Sequence, residues 1–508
     1  MPLRDRSRGG FMVPVVIIAF IVFAALCSFV WIENDLGSLT PSFYLLPWAV
    51  LTGICVLAPS VYLFYIGKFD LFHPLVFAAW TYVFPAFVLG SLLITFGWVN
   101  PYFMSFIDDP EYNLPLTLVY IAVGFVALTA GYFLPIGQFL SDTVEKRLPK
   151  DWNWKPEQIW LPGVMLLFAG VAFNALGFVE GLLGYQRNVG FSVFDGLLFF
   201  LLFVLGEGTV LLWLAVFTAK ERTFVFYLIV ILLLIFLPIR MAVLGSRSSL
   251  ILGLLPIAFA FTASGRKLKL HVAAIFAVIG LLAVVVGATY GTTFRNIKGS
   301  EARMGAGDYF GQVVATVDYL STEDIGIIVE QSTEALAARI ENLSSVAVVV
   351  ANYEALAPYE ASYGLENNIL NDMYTSFIPR FVWNDKPPTS DARAYSDLYF
   401  NYGENSFAIS PFGDLLRNFG PIGVPLGMLV LGIYLRLLYS TLIDTPTPAI
   451  WKKVSYFSLI TIVSYEAFYA TILPGAVRII FILAISLWLV NVIASRTRVS
   501  GPPAMGSR

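Results

Sequence analysis

Charged residues stand in this chain where an apolar sequence should have none. Only 13% of its residues are Asp, Glu, Lys or Arg, against 58% hydrophobic. Glu207, flanked by Gly206 and Gly208, lies in the middle of one apolar run, and Glu466 lies in the outer half of another. Arg240, Arg417 and Arg478 lie at run ends, and Arg247 opens a run within Gly245-Ser246-Arg247-Ser248-Ser249. A charge at bilayer depth costs about 3 kcal/mol or more, so such groups face a partner or a wet cleft. A further set sits in a polar insert that contains Arg339 and the string Ile378-Pro379-Arg380-Phe381-Val382-Trp383-Asn384-Asp385-Lys386-Pro387-Pro388. Cations gathered on the non-cytoplasmic side run against the usual bias and imply an anion to hold there. Plainer readings stand beside these. Glu207 could be a protonated carboxyl bonded to a neighbouring helix, and Glu466 and Arg478 a structural ion pair. Arg240 and Arg247 could snorkel to lipid phosphates, Arg380 could pair with Asp385 to hold its loop, and Asn174 reads as interhelical glue.

The elements that must position these groups are membrane helices. Mean hydropathy is +0.77, far above that of a soluble domain. Apolar stretches of about 17–25 residues recur, each able to span a bilayer as a helix. Strand-like alternation is absent, which excludes a β-barrel. The hydropathy predicts about twelve helices, near 12–32, 43–66, 74–96, 114–137, 159–179, 195–218, 223–241, 248–263, 271–290, 420–443, 453–472 and 477–495. The first run lacks a cleavage site and reads as a retained helix. Alternation of twelve helices puts the clusters Arg4-Arg6-Arg8, Lys146-Arg147-Lys150, Lys220-Arg222, Arg266-Lys267-Lys269, Lys452-Lys453 and Arg496-Arg498 on one side. That side is cytoplasmic, both termini with it. The expected organisation is nine helices over 1–290, an extracytoplasmic (periplasmic) loop over 291–413, and three helices with a tail over 414–508. Cys27 and Cys55 fall inside spans and form no outer disulfide. His73 and His271 fall at the cytoplasmic side.

The insert reads as ordered. Thr322-Glu323-Asp324 resembles a helix start, and Ile325, Ile328, Val329, Leu336 and Ile340 predict one or two amphipathic helices. Pro379–Pro388 predicts a turn-rich loop. Loops of this length are usually functional. No internal repeat is evident, and nothing in the chain points to nucleic acid.

Arg339-Ile-Glu-Asn-Leu-Ser-Ser-Val, Tyr363-Gly364, the Pro-Arg-Phe-x-Trp-x-x-Lys-Pro string from Pro379, and Gly413-Asp414-Leu415-Leu416-Arg417-Asn418-Phe419-Gly420 together resemble the O-antigen polymerase (Wzy) family. The likeness covers about 100 residues, from Arg339 to Arg436. It implies an all-α polytopic fold of the GT-C type in the cell inner membrane. The implied activity is transfer of a growing glycan from undecaprenyl pyrophosphate to a sugar hydroxyl of the next lipid-linked repeat unit. No cofactor and no metal site is implied. The expected partners are the undecaprenyl-pyrophosphate-linked oligosaccharide, membrane lipids, a chain-length regulator and a flippase. Under this resemblance Arg380, Arg247, Arg240 and Arg417, then Arg339, Arg478 and Lys386, are candidates for the pyrophosphate clamp, since the guanidinium fork suits phosphate oxygens. Asp385, Asp414 and Glu207 are candidates for the base, a partly buried carboxylate being the simplest acceptor of a hydroxyl proton. Trp383, Tyr395 and Tyr399, with Tyr402, are candidates for sugar contacts. The lack of a histidine outside favours polymerase over the related O-antigen ligases. A transporter or flippase of lipid-linked oligosaccharide is the alternative from another class, although it lacks a repeat to support it.

Overall fold

The structure is a computed structural model that describes residues 42–184, 195–246, 249–266, 270–299, 304–375, 390–403 and 406–499, and between 376 and 389 Ile378, Val382, Trp383 and Lys386. Every regular element among the described residues is helical. The main helices are α1 (Phe43–Tyr65), α2 (Pro74–Thr95), α3 (Pro110–Phe133), α4 (Trp160–Val179), α5 (Gly196–Thr218), α6 (Phe224–Leu244), α7 (Ser249–Ala263) and α8 (Leu270–Lys298). They are followed by α9 (Ala306–Thr322), α10 (Ile325–Ile340), α11 (Leu343–Glu360), α12 (Asn368–Thr375), α13 (Ala392–Phe400), α14 (Ser410–Leu442), α15 (Ile450–Thr461) and α16 (Ile472–Val499). Nine helices among the described residues are long and apolar enough to cross a membrane. This is a multi-pass helical membrane protein.

The expected helix at 12–32 lies outside the described residues. The one at 248–263 is α7, shorter than the nine. The one at 453–472 needs correction: α15 stops at Thr461, and 462–468 is irregular. Ser464 diverts the backbone, because its hydroxyl accepts the N–H groups of Glu466 and Ala467 at 3.3 and 3.2 Å. The Glu466 carbonyl accepts instead from Ser410 N at 3.1 Å. Val463, Tyr465 and Phe468 are buried, so protein shields this non-helical stretch, as a bilayer would require.

Two tight helix pairs organise the bundle. Along α3 and α14, a Cβ on Gly131 would meet the Leu429 carbonyl at 2.1 Å, and one on Gly432 would meet the Leu128 carbonyl at 2.1 Å. Between α4 and α5, a Cβ on Gly170 would meet Leu205 N at 2.5 Å, and one on Gly208 would meet Leu167 N at 2.7 Å. Small residues let helix backbones touch where lipid supplies no hydrophobic drive. The first pair belongs to one apolar core, with α2, α11 and α13; the second belongs to another, with α6, α7, α15 and α16. The stretch 462–468 contributes to both.

α14 begins ten residues before its expected start and bends at Gly420, whose φ of 67° and ψ of −166° are not helical. Pro421 bars Gly420 from the α region, and glycine alone accepts this backbone without strain. Asp414 and Arg417 therefore ride on a separate segment ahead of the bend. Asp324 caps α10, its carboxylate accepting Gly326 N at 2.7 Å. The insert does not simply lie on the bundle. The first half of α11, Leu343 to Val350, is buried, and α11 packs on α3 and α14.

Candidate functional site

The first half of α14, the end of α11, α12 and the turn at 469–471 share one polar network. Arg417 is its hub, and its side chain is wholly buried. Nη1 donates to Glu360 Oε2 at 2.9 Å and to the Leu365 carbonyl at 2.8 Å. Nη2 donates to Asn368 Oδ1 at 2.6 Å and to Asp414 Oδ1 at 2.7 Å. The guanidinium lies 5.8 Å from the centre of the Phe468 ring. Asp414 Oδ2 accepts Ala470 N at 3.1 Å, and Asn418 Nδ2 donates to Asn368 Oδ1 at 2.8 Å. Tyr399 donates its hydroxyl to Glu360 Oε1 at 2.9 Å. Burial pushes the Glu360 carboxyl up, against the pull of Arg417.

This geometry makes Arg417 and Asp414 anchors and leaves neither exposed to a ligand. Both terminal nitrogens of the one are committed to protein acceptors, and both oxygens of the other to protein donors. Tyr395 and Tyr399 also need correction. They are almost fully buried, with ring centroids 5.1 Å apart, so neither presents a face to a sugar. Trp383 does remain open, at 38% exposure.

The network runs on to a third carboxylate, Asp372 on α12. Asn368 Nδ2 donates to Ser390 Oγ at 2.9 Å, and Ser390 donates to Asp372 Oδ2 at 2.5 Å. Burial raises the Asp372 carboxyl, while the Ser390 hydroxyl, Arg478 of α16 and Lys386 oppose the shift. Arg478 and Lys386, two of the expected cations, thus both favour the ionised form of this carboxyl. Lys386 also donates to the Ile378 carbonyl at 3.3 Å. Arg478 sits over the Phe200 ring at 5.1 Å.

The alternative reading of a Glu466–Arg478 ion pair does not hold among the described residues. Glu466 takes a two-pronged ion pair from Arg339 at the end of α10 instead. Glu341 lies beneath this region, accepting Ser344 N at 2.7 Å. Burial pushes its carboxyl up to about 7.

The other expected residues are scattered. Glu207 is buried between α5 and α16, where Ser486 donates to its Oε2. Its flanking glycine, Gly208, serves the close approach of α4. Arg240, near the end of α6, has no ion pair among the described residues. Arg247, Arg380 and Asp385 lie outside the described residues. His73 packs inside the protein. It is buried against Tyr132, with 2.9 Å between Nε2 and the phenol oxygen, and burial pushes its ring down to about 3. A cavity of about 730 Å³ opens at the far end of α14, between Glu145, Lys146, Lys150 and Lys452, away from the network. Among the described residues no three His, Cys, Asp or Glu side chains are grouped to hold a metal ion.

Asp372 and Ser390 escaped the sequence reading. Asp372 stands in Asn-Asp-Met-Tyr with no charged neighbour to mark it, and Ser390 follows a proline-rich loop as an ordinary turn residue. Asn368, four residues before Asp372 and so on the same helical face, was the available signal. No family model, curated protein or solved structure matches the chain.

Proposed function

We propose that this protein is a polysaccharide polymerase of the inner membrane. It would transfer a growing glycan from undecaprenyl pyrophosphate to a sugar hydroxyl of the next lipid-linked repeat unit, in a bundle of about twelve helices of GT-C type. The observation that carries this reading is the buried polar anchor built by Arg417 and linked through Asn368 and Ser390 to Asp372, a carboxyl whose ionised form the charges of Arg478 and Lys386 favour. Leaving pyrophosphate gains negative charge, and preorganised cations stabilise it. Pyrophosphate is a good leaving group, so the reaction needs a proton acceptor more than a strong acid. Glu207 lies within the core in this reading and holds α16 to α5 through Ser486.

The test is reconstitution of the purified chain with lipid-linked repeat unit extracted from cells that lack it. The wild type should yield a ladder of polymer lengths. Arg380→Ala and Arg478→Ala should each lower turnover by about a hundredfold or more. No ladder from folded wild-type protein on authentic substrate would overturn the reading. The break between α15 and α16 favours a transporter as the second reading, since transporters build sites at broken helices. That reading predicts movement of lipid-linked oligosaccharide across vesicles without polymer.

A further inference from the structure

We infer that the cavity at the far end of α14 is a binding site for the phosphodiester headgroup of an anionic phospholipid. Two lysine-bearing stretches meet there, for Lys452 of α15 donates to Glu145 Oε1 at 2.8 Å across 307 positions. The cavity holds about 730 Å³, a usual size for a ligand site. Its lining carries Lys146, Lys150 and Lys452 with Asp142 and Glu145, so three lysines against two carboxylates leave one positive charge in excess. A phosphodiester brings a single negative charge to match it. Lys452 is committed to Glu145, and the adjacent Lys453 to the Ala263 carbonyl at 2.7 Å. Lys146 and Lys150 are exposed and have no ion pair among the described residues. Their ammonium groups are open to a ligand.

The cavity lies at headgroup depth. α3 runs 24 residues, about 36 Å at the helical rise, which already exceeds a hydrocarbon core of about 30 Å. Pro135 then bars Leu134 from the α region. Leu134 is extended, at φ −62° and ψ 143°, and the chain leaves the course of α3 for a helix over Pro135–Glu145. One face of this helix docks on α14. A Cβ on Gly137 would meet Arg436 Cβ at 2.7 Å, and the Ser141 and Thr441 hydroxyls lie 3.0 Å apart. A second face carries Ile136, Phe139, Leu140 and Val144, all exposed, Phe139 at 70%. Their spacing is that of a helical stripe, and such a stripe beside lysines marks a helix lying in the membrane interface. A third face lends Asp142, Glu145 and the following Lys146 to the cavity. The buried Trp451 also lines it, with Trp152 edge-on at 5.8 Å and Trp154 stacked on Trp152 at 6.0 Å. Tryptophans gather where bilayer meets water.

Charge and depth together select the ligand. The bias of Lys and Arg assigns this end of the bundle to the cytoplasm, and basic pockets beside membrane helices on that side take anionic headgroups. The phosphodiester oxygens meet Lys146 and Lys150, while the acyl chains run along the stripe from Ile136 to Val144. Thr445 and Thr447 add hydroxyls to the lining, which suit a glycerol headgroup. A choline headgroup cancels its own phosphate charge and gains little from the excess lysine. A free phosphate would use the lysines and leave the apolar stripe idle.

The experiment titrates the purified full chain in detergent with dioleoyl phosphatidylglycerol or dioleoyl phosphatidylcholine and reads the bound lipid by native mass spectrometry. Phosphatidylglycerol should bind about tenfold more tightly or better. Lys146→Gln combined with Lys150→Gln should weaken it about thirtyfold and leave phosphatidylcholine unchanged. Lys146→Arg combined with Lys150→Arg should bind as wild type does. Lys220→Gln combined with Arg222→Gln removes equal charge from another exposed loop and should change binding by less than about threefold. Phe139→Ser combined with Leu140→Ser should weaken it about tenfold, and inorganic phosphate in large excess should not displace it. Equal affinity for the two lipids, or full binding by the Lys146→Gln, Lys150→Gln protein, would overturn the site. So would an equal loss in the Lys220, Arg222 variant, which would leave general surface charge as the cause. Displacement by inorganic phosphate, with no effect of the Phe139 and Leu140 changes, would overturn the lipid and give the cavity to a soluble phosphate.

Discussion

Replacing Arg417 by methionine should unfold this protein before it disarms it. Arg417 makes two ion pairs, at 2.9 Å to Glu360 and 2.7 Å to Asp414, with the three side chains 0%, 6% and 0% exposed. Each contact is worth about 6 kcal/mol gross at an effective dielectric near 20. Desolvation of three charges cancels most of that sum, so the gross figure is not the cost. The variant leaves two carboxylates buried without their cation, and removing one partner of such a pair costs about 3–5 kcal/mol. A membrane domain of ordinary stability, about 5–15 kcal/mol, would lose a large share. The assay is equilibrium unfolding of the purified chain in detergent, followed by tryptophan fluorescence. Arg417→Lys should recover little, because one ammonium cannot reproduce a fork serving four acceptors. Arg417→Met combined with Glu360→Gln and Asp414→Asn should recover more than half, because no uncompensated charge remains. An Arg417→Met protein within about 1 kcal/mol of wild type, yet unable to bind undecaprenyl pyrophosphate, would refute the anchor and restore Arg417 to the phosphate clamp.

Two further outcomes test the packing. Glu341 has its carboxyl raised from 4.5 to about 7 by burial, so the folded state binds the extra proton between those values. Its contribution is present below about 4.5 and lost as pH rises through about 7. Glu341→Gln should therefore melt more nearly alike at pH 5 and pH 8 than wild type does, with a relative gain of about 3 kcal/mol at pH 8; parallel melting curves would count against it. Gly432→Leu should separate α3 from α14, because even a Cβ would lie 2.1 Å from the Leu128 carbonyl. Overpacking of this kind costs about 1–3 kcal/mol or more, and a detergent melting temperature equal to wild type would show that the contact is not needed.

The apolar runs were enough to establish a helical multi-pass protein. Lipid offers no partner to backbone N–H and C=O groups, so a run of about 20 apolar residues has the helix as its one stable form. The ends of α1, α4 and α6 and the cap at Asp324 were legible for the same local reason. The break at 462–468 was not. Hydropathy continues through Val463, Tyr465 and Phe468, and only Ser464 and the approach of Ser410 from another helix end α15. The charges show the same division. Composition marks Arg417, Arg478, Arg339 and Glu466 as costly groups that need partners, since the cost belongs to the residue itself. It does not say which partner each finds. Arg339 reaches Glu466 across 127 positions, and Arg417 reaches Glu360 across 57. Such pairings depend on how α10, α11 and α14 pack, and packing decided that Arg417 is an anchor held by Glu360 and Asp414.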